Sequence, residues 1–112
     1  MKIYHNPRCS KSRQTLAIIE EKGIEVEIIK YLENIPNKSQ LKEIINLLGI
    51  KPLQLVRKNE ADWKNNFKGQ ELNDDEIIEA MITYPKLIER PIVIKGNKAV
   101  LGRPPESVLN LF

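Results

Sequence analysis

The sequence predicts an α/β fold built on a mixed four-stranded sheet with flanking helices and a helical insertion. Three observations predict it. The first thirty residues switch from strand to helix and back to strand, the middle reads as helical, and a two-residue turn near the C-terminus joins two β-rich runs.

Lys2 to His5 reads as a short strand ended by Asn6-Pro7. A helical pattern begins at about Ser10 and runs to Lys22, where Gly23 can cap it; Leu16, Ala17, Ile18 and Ile19 supply its apolar stripe. Ile24, Val26 and Ile28 then alternate with Glu25 and Glu27, the period-two pattern of a half-buried strand, and complete a right-handed βαβ unit. Leu41, Ile44, Ile45 and Leu48 follow helical spacing up to Gly49, and Pro52 opens a short turn through Arg57. Asn73 can cap a further helix, with Glu76 three residues on completing a capping box and Ile77, Ile78, Met81 and Ile82 on the apolar face. Gly96-Asn97 between Ile92–Lys95 and Lys98–Leu101 is a hairpin signal. Pro104 and Pro105 introduce a terminal helix carrying Val108, Leu109, Leu111 and Phe112.

At 112 residues the chain suits one domain, 1–112, with a modest core. Its 41% hydrophobic and 29% charged residues lie within the globular range. The net charge of +3 is dispersed, with no Lys/Arg block that would track a nucleic-acid backbone, so no nucleic acid is expected as a partner. No apolar run approaches a signal sequence or membrane span, which points to a cytoplasmic protein without a membrane partner. A single cysteine excludes an intramolecular disulfide, and one Cys with one His makes no metal site.

The chemistry-bearing segment runs from His5 to Arg13, with Cys9 between a strand end and a helix start. Orphan N–H groups of a helix's first turn and the positive end of its dipole favour a thiolate there, and Arg8 and Arg13 add full charges. A lone cysteine is by default a buried structural residue. Here no apolar residue follows it within five positions, which reverses that default. His5 can assist thiolate formation or simply end the strand. Ser12, one helical turn beyond Cys9, can donate to the sulfur or satisfy a backbone group. Because Ser and not Cys stands at position 12, any disulfide of Cys9 needs an external partner.

The loop His5-Asn6-Pro7-x-Cys9-x-x-Ser12-Arg13 closely resembles that of the arsenate reductases that depend on glutathione and glutaredoxin, the ArsC-like family. The resemblance continues through Leu55-Val56-Arg57-Lys58-Asn59, Tyr84 to Val93, and Gly102-Arg103-Pro104-Pro105-Glu106, nearly the whole chain. It implies a thioredoxin-like fold, catalytic roles for Cys9, His5 and Ser12, anion-binding roles for Arg57, Arg90 and Arg103, and a cis peptide bond before Pro91. Taken singly, each arginine would be read as solvated or in an ion pair, Arg90 with Glu89. Together they suit a tetrahedral oxyanion, since each guanidinium offers forked donors and stays charged. Arg8, Ser10 and Lys11 depart from the familiar loop, where a small residue precedes the cysteine and Gly-Thr follows it.

The implied reaction is reduction of arsenate, or a similar oxyanion, to arsenite through a thiol–arsenate adduct on Cys9. Glutathione is the implied co-substrate and glutaredoxin the implied resolving partner, with no bound cofactor. Two alternatives remain at this point. One is a regulator resembling the Spx proteins, which bind RNA polymerase; its usual C-x-x-C switch is absent. The other is a glutathione-dependent thiol oxidoreductase indifferent to arsenate.

Overall fold

A computed structural model describes all 112 residues. The chain divides into two compact units, Met1–Asn34 with Arg90–Phe112, and Ile35–Glu89.

The first unit holds a mixed four-stranded sheet in the order β2-β1-β3-β4, formed by β1 (Lys2–His5), β2 (Glu27–Lys30), β3 (Ile92–Lys95) and β4 (Lys98–Leu101). β1 pairs in parallel with β2 and antiparallel with β3, and β3 pairs antiparallel with β4. The connection from β1 to β2 runs through helix α1 (Ser10–Glu21), which ends on Gly23 at φ 69°, the left-handed conformation the sequence assigned to that glycine. Ile3, Ile19, Val93, Val108 and Leu111 form the buried cluster, with Leu16, Ile18, Ile24, Val26 and Val100 packed around it. Burying each such side chain contributes about 1.5–3 kcal/mol.

The register places one end of all four strands together. His5 closes β1 opposite Lys30 of β2, Ile92 opens β3 opposite Tyr4, and Leu101 closes β4 opposite Ile92. The loops that follow β1, β2 and β4 and the segment that precedes β3 therefore leave the sheet at this one end.

The second unit is the helical insertion. It contains α2 (Lys38–Leu48), α3 (Ala61–Asn66) and α4 (Asp74–Thr83), with 3-10 turns at Pro52–Leu55 and Pro85–Leu87. Asn37 caps α2 and Asn73 caps α4; each accepts the backbone N–H three residues on, from Gln40 and Glu76, whose side chains reach back in complete capping boxes. α4 packs against α2 and both 3-10 turns, burying Leu41, Ile44, Leu55, Ile77, Met81 and Leu87. Phe67 links Trp63 and Tyr84, with ring centroids 5.5 and 5.7 Å away.

Three elements differ from the sequence expectation. The strand anticipated over Ile24–Ile28 pairs only from Glu27 to Lys30; Ile24 and Val26 pack into the core without laddering. Helix α3 carries no buried residue, so it has no apolar stripe to announce it. The terminal helix is a 3-10 segment, Pro105–Leu111; it buries Val108 and Leu111 but leaves Leu109 and Phe112 exposed.

Candidate active site

Cys9 is the N-cap residue of α1, held by its own N–H to Asn6 O at 3.0 Å and by Arg13 N–H to its carbonyl at 3.0 Å. The loop before it is fastened at several points. Asn6 Oδ1 accepts the Arg8 N–H at 3.0 Å, and Arg13 Nη1 donates to Pro7 O at 2.9 Å. The sulfur is thus aimed by a pinned backbone.

Ser12 takes the second of its two anticipated roles. Its hydroxyl oxygen accepts the Asn6 N–H at 3.0 Å and lies 2.6 Å from His5 Nδ1, so it is not spent on the sulfur. What reaches the thiol is the Ser12 backbone N–H, together with that of Lys11. His5 and Ser12 are both buried, at 6% and 0% exposure, and this pair ties the end of β1 to the first turn of α1. Burial, followed by the Lys30 and Arg13 charges, holds the His5 imidazole below its ordinary value against a smaller opposing pull from Glu20. His5 is therefore neutral at neutral pH and supplies no cation to the cysteine.

The cation beside the sulfur comes from elsewhere in the sequence. Burial of Cys9, which is only 8% exposed, pushes its thiol up. The Ser12 N–H, the Arg90 guanidinium by charge and hydrogen bond, and the Lys11 N–H together outweigh that and bring the thiol below its ordinary value. Arg103 adds an Nη2 contact to Sγ at 3.8 Å, and its Nε donates to Arg90 O at 2.8 Å, which locks the two arginine segments together. The expected contribution of Arg8 and Arg13 is thus replaced. Arg13 braces Pro7 and acts on His5, while Arg90 acts on the thiol.

The peptide bond before Pro91 is cis, as the resemblance implied; that before Pro104 is also cis, which the sequence did not announce. Gly102 lies behind them, its N–H donating to Pro91 O at 2.9 Å. A Cβ at this position would stand 2.6 Å from Pro91 Cγ and collide with Thr15 Oγ1, so only glycine fits. Sequence reading passed over Gly102 and Thr15, although Gly102 opens the Gly-Arg-Pro-Pro segment.

Arg57 belongs to the second unit. There its Nη1 donates to Glu60 at 2.7 Å and its Nε lies 3.8 Å from Glu89, while its backbone N–H donates to Leu87 O. Glu89, which the sequence offered to Arg90, also lies beside Arg57. No group of three or more His, Cys, Asp or Glu is gathered to hold a metal ion, and no helix is long and apolar enough to cross a membrane.

The first unit thus gathers a thiol with a lowered pKa, two backbone N–H donors and two guanidinium groups around one sulfur, an arrangement that favours a thiolate and suits an anion presented to it. Comparison with known proteins agrees along the whole chain. It is 44% identical over 113 residues to the uncharacterised Escherichia coli protein YfgD, spanning 99% of this chain and 95% of that one. It is 45% identical over 112 residues to an arsenate reductase of Haemophilus influenzae, spanning 98% and 97%. An arsenate reductase structure from Vibrio cholerae superimposes with a TM-score of 0.95 at 46% identity, covering 100% of this chain and 98% of that one. The ArsC family model matches residues 4–111, and with these full-length relatives it establishes that the chain belongs to the ArsC family.

Proposed function

We propose that the protein is an arsenate reductase that works through Cys9 and an external thiol. The observation that carries this reading is the Cys9 sulfur held among the Ser12 and Lys11 N–H groups and the Arg90 and Arg103 guanidiniums. The likeness to the Haemophilus and Vibrio arsenate reductases supports the substrate.

In the first step the Cys9 thiolate attacks the arsenic of arsenate. A sulfur–arsenic bond forms as one As–O bond breaks; the developing charge on the leaving hydroxide is offset by Arg90 and Arg103, and it takes a proton from solvent to depart as water. In the second step an external thiol takes Cys9 into a mixed disulfide. The two sulfurs together lose two electrons, arsenic falls from the +5 to the +3 state, and arsenite departs. Glutathione is the thiol that the family resemblance implies, and glutaredoxin the partner that returns Cys9 to the thiol. With one cysteine in the sequence, no internal group can resolve the adduct. His5 and Ser12 act by positioning: their buried pair fixes the loop that aims the sulfur and the two N–H donors. Arg57 is assigned to the anion by resemblance alone. Arg57→Lys should lower kcat/KM for arsenate, and unchanged kinetics would remove it from the anion set.

The direct test is arsenate-dependent NADPH oxidation in the presence of glutathione, glutaredoxin and glutathione reductase. The reading predicts turnover that needs both arsenate and this protein. A flat trace with active coupling enzymes would refute it.

A further inference from the structure

Beside the catalytic loop lies a cavity of about 280 Å³, lined by residues 5–8 and by Lys30, Leu32 and Glu33. The sheet builds it: the His5–Lys30 register brings the end of β2 alongside the end of β1, and the backbone turns at once, with Glu33 N–H donating to Lys30 O at 2.9 Å. Cys9 directly follows the Arg8 wall. Neither Arg8 nor Lys30 has a carboxylate partner, so two positive charges and one negative charge, Glu33, face a partly apolar pocket uncommitted.

Strand order separates this pocket from the anion site. β1 lies between β2 and β3; Arg90 and Arg103 border β3 and β4, whereas the cavity lies at the β2 edge, where Lys30 ends its strand beside His5. A ligand complementary to the pocket is a small peptide with two carboxylates, one ammonium and short methylene stretches. Glutathione has that composition, with its thiol midway between the two ends.

Building on the reading of the chain as a reductase that needs an external thiol, we propose that this cavity docks glutathione, with Arg8 and Lys30 binding its carboxylates and Glu33 its ammonium. From there its deprotonated thiol attacks Cys9 Sγ. The new S–S bond forms as the Sγ–As bond breaks; the bonding pair stays on arsenic, which goes from +5 to +3, and the departing arsenite takes protons from water. Arg8 and Lys30 thereby acquire a role that the family loop pattern does not assign.

The test uses no arsenate. Cys9 of the full chain is reacted with oxidised glutathione and, separately, with the uncharged hydroxyethyl disulfide; each rate is followed by mass spectrometry, and their ratio cancels any change in thiol reactivity. Lys30→Gln should lower the ratio about tenfold, the effect of losing one charge-assisted contact. Glu33→Gln should lower it too, since the ligand ammonium loses its partner. An unchanged ratio in Lys30→Gln overturns the proposal. So does a raised ratio in Glu33→Gln, which would mean simple attraction of anions to a basic surface. In the coupled assay the Lys30→Gln defect should appear in KM for glutathione and not in KM for arsenate. A wild-type protein inert to arsenate would sink the reductase reading by itself, while the disulfide ratios still decide the cavity.

Discussion

Replacing Ser12 with Ala removes one oxygen and, by this structure, unfastens the loop that carries Cys9. The hydroxyl is fully buried and serves two partners, the Asn6 N–H at 3.0 Å and His5 Nδ1 at 2.6 Å. Alanine fills nearly the same volume, so the packing term is small and the cost lies in the two polar groups left behind. Each costs about 1–3 kcal/mol when stranded away from water. Allowing for partial relaxation at Asn6, which is half-buried, the loss is about 2–4 kcal/mol. An unfolding entropy of about 2 cal/mol/K per residue makes 1 kcal/mol worth about 4 °C in a chain of this size. Ser12→Ala should therefore lower Tm by about 8–16 °C, measured by circular dichroism at pH 7. It should also slow iodoacetamide alkylation of Cys9, because the Ser12 and Lys11 N–H groups that favour the thiolate are aimed by the same turn. A Tm within about 2 °C of wild type, with unchanged alkylation, would show that the buried pair does not hold the loop.

Gly102→Ala should destabilise by about 1–3 kcal/mol, since its methyl meets Pro91 and Thr15; a variant as stable as wild type in urea would contradict the close packing. Arg103→Lys keeps the charge but loses the fork that spans Arg90 O and the sulfur, so kcat/KM for arsenate should fall about a hundredfold, and equal kinetics would exclude Arg103 from the anion site. Stability should depend on pH through His5. Unfolded, its imidazole takes up a proton near pH 6.5, and folded only at lower pH, so the stabilisation is complete above about 6.5 and is lost as pH falls through the folded value. His5→Asn should flatten that slope in urea titrations between pH 7 and 5; an identical slope would mean that another group titrates.

The local features of this molecule were legible, and the long-range ones were not. Lys2–His5, the Asn73 capping box, the Gly49 helix end and the Gly96-Asn97 hairpin each depend on a few adjacent residues, and all appear where their patterns fall. The alternation of Ile24, Val26 and Ile28 misled on both counts: Ile24 and Val26 pack against the core before their backbone joins the ladder, whereas Ile28 pairs with Ile3 yet stays 47% exposed. Helix α3 has only the Trp63 and Phe67 spacing to mark it. At the site, Cys9 was found from its place between strand and helix. The choice of cation was not: Arg8 is adjacent and Arg103 is 94 positions away, yet it is Arg103 that contacts the sulfur. Only the family resemblance, with its separated motifs, carried that information. The pairing of Ser12 with His5 likewise depends on how tightly the loop closes, which no spacing rule specifies.

A single turnover tests the central claim most directly. The reduced protein is mixed with arsenate and glutathione without glutaredoxin and quenched, arsenite is quantified, and the protein is mapped by mass spectrometry beside Cys9→Ser. The account predicts arsenite equal to the protein present, glutathione in disulfide linkage to Cys9, and neither with Cys9→Ser. Arsenite formed equally by Cys9→Ser, or no arsenite from a wild-type protein whose Cys9 alkylates as a thiolate, would contradict it.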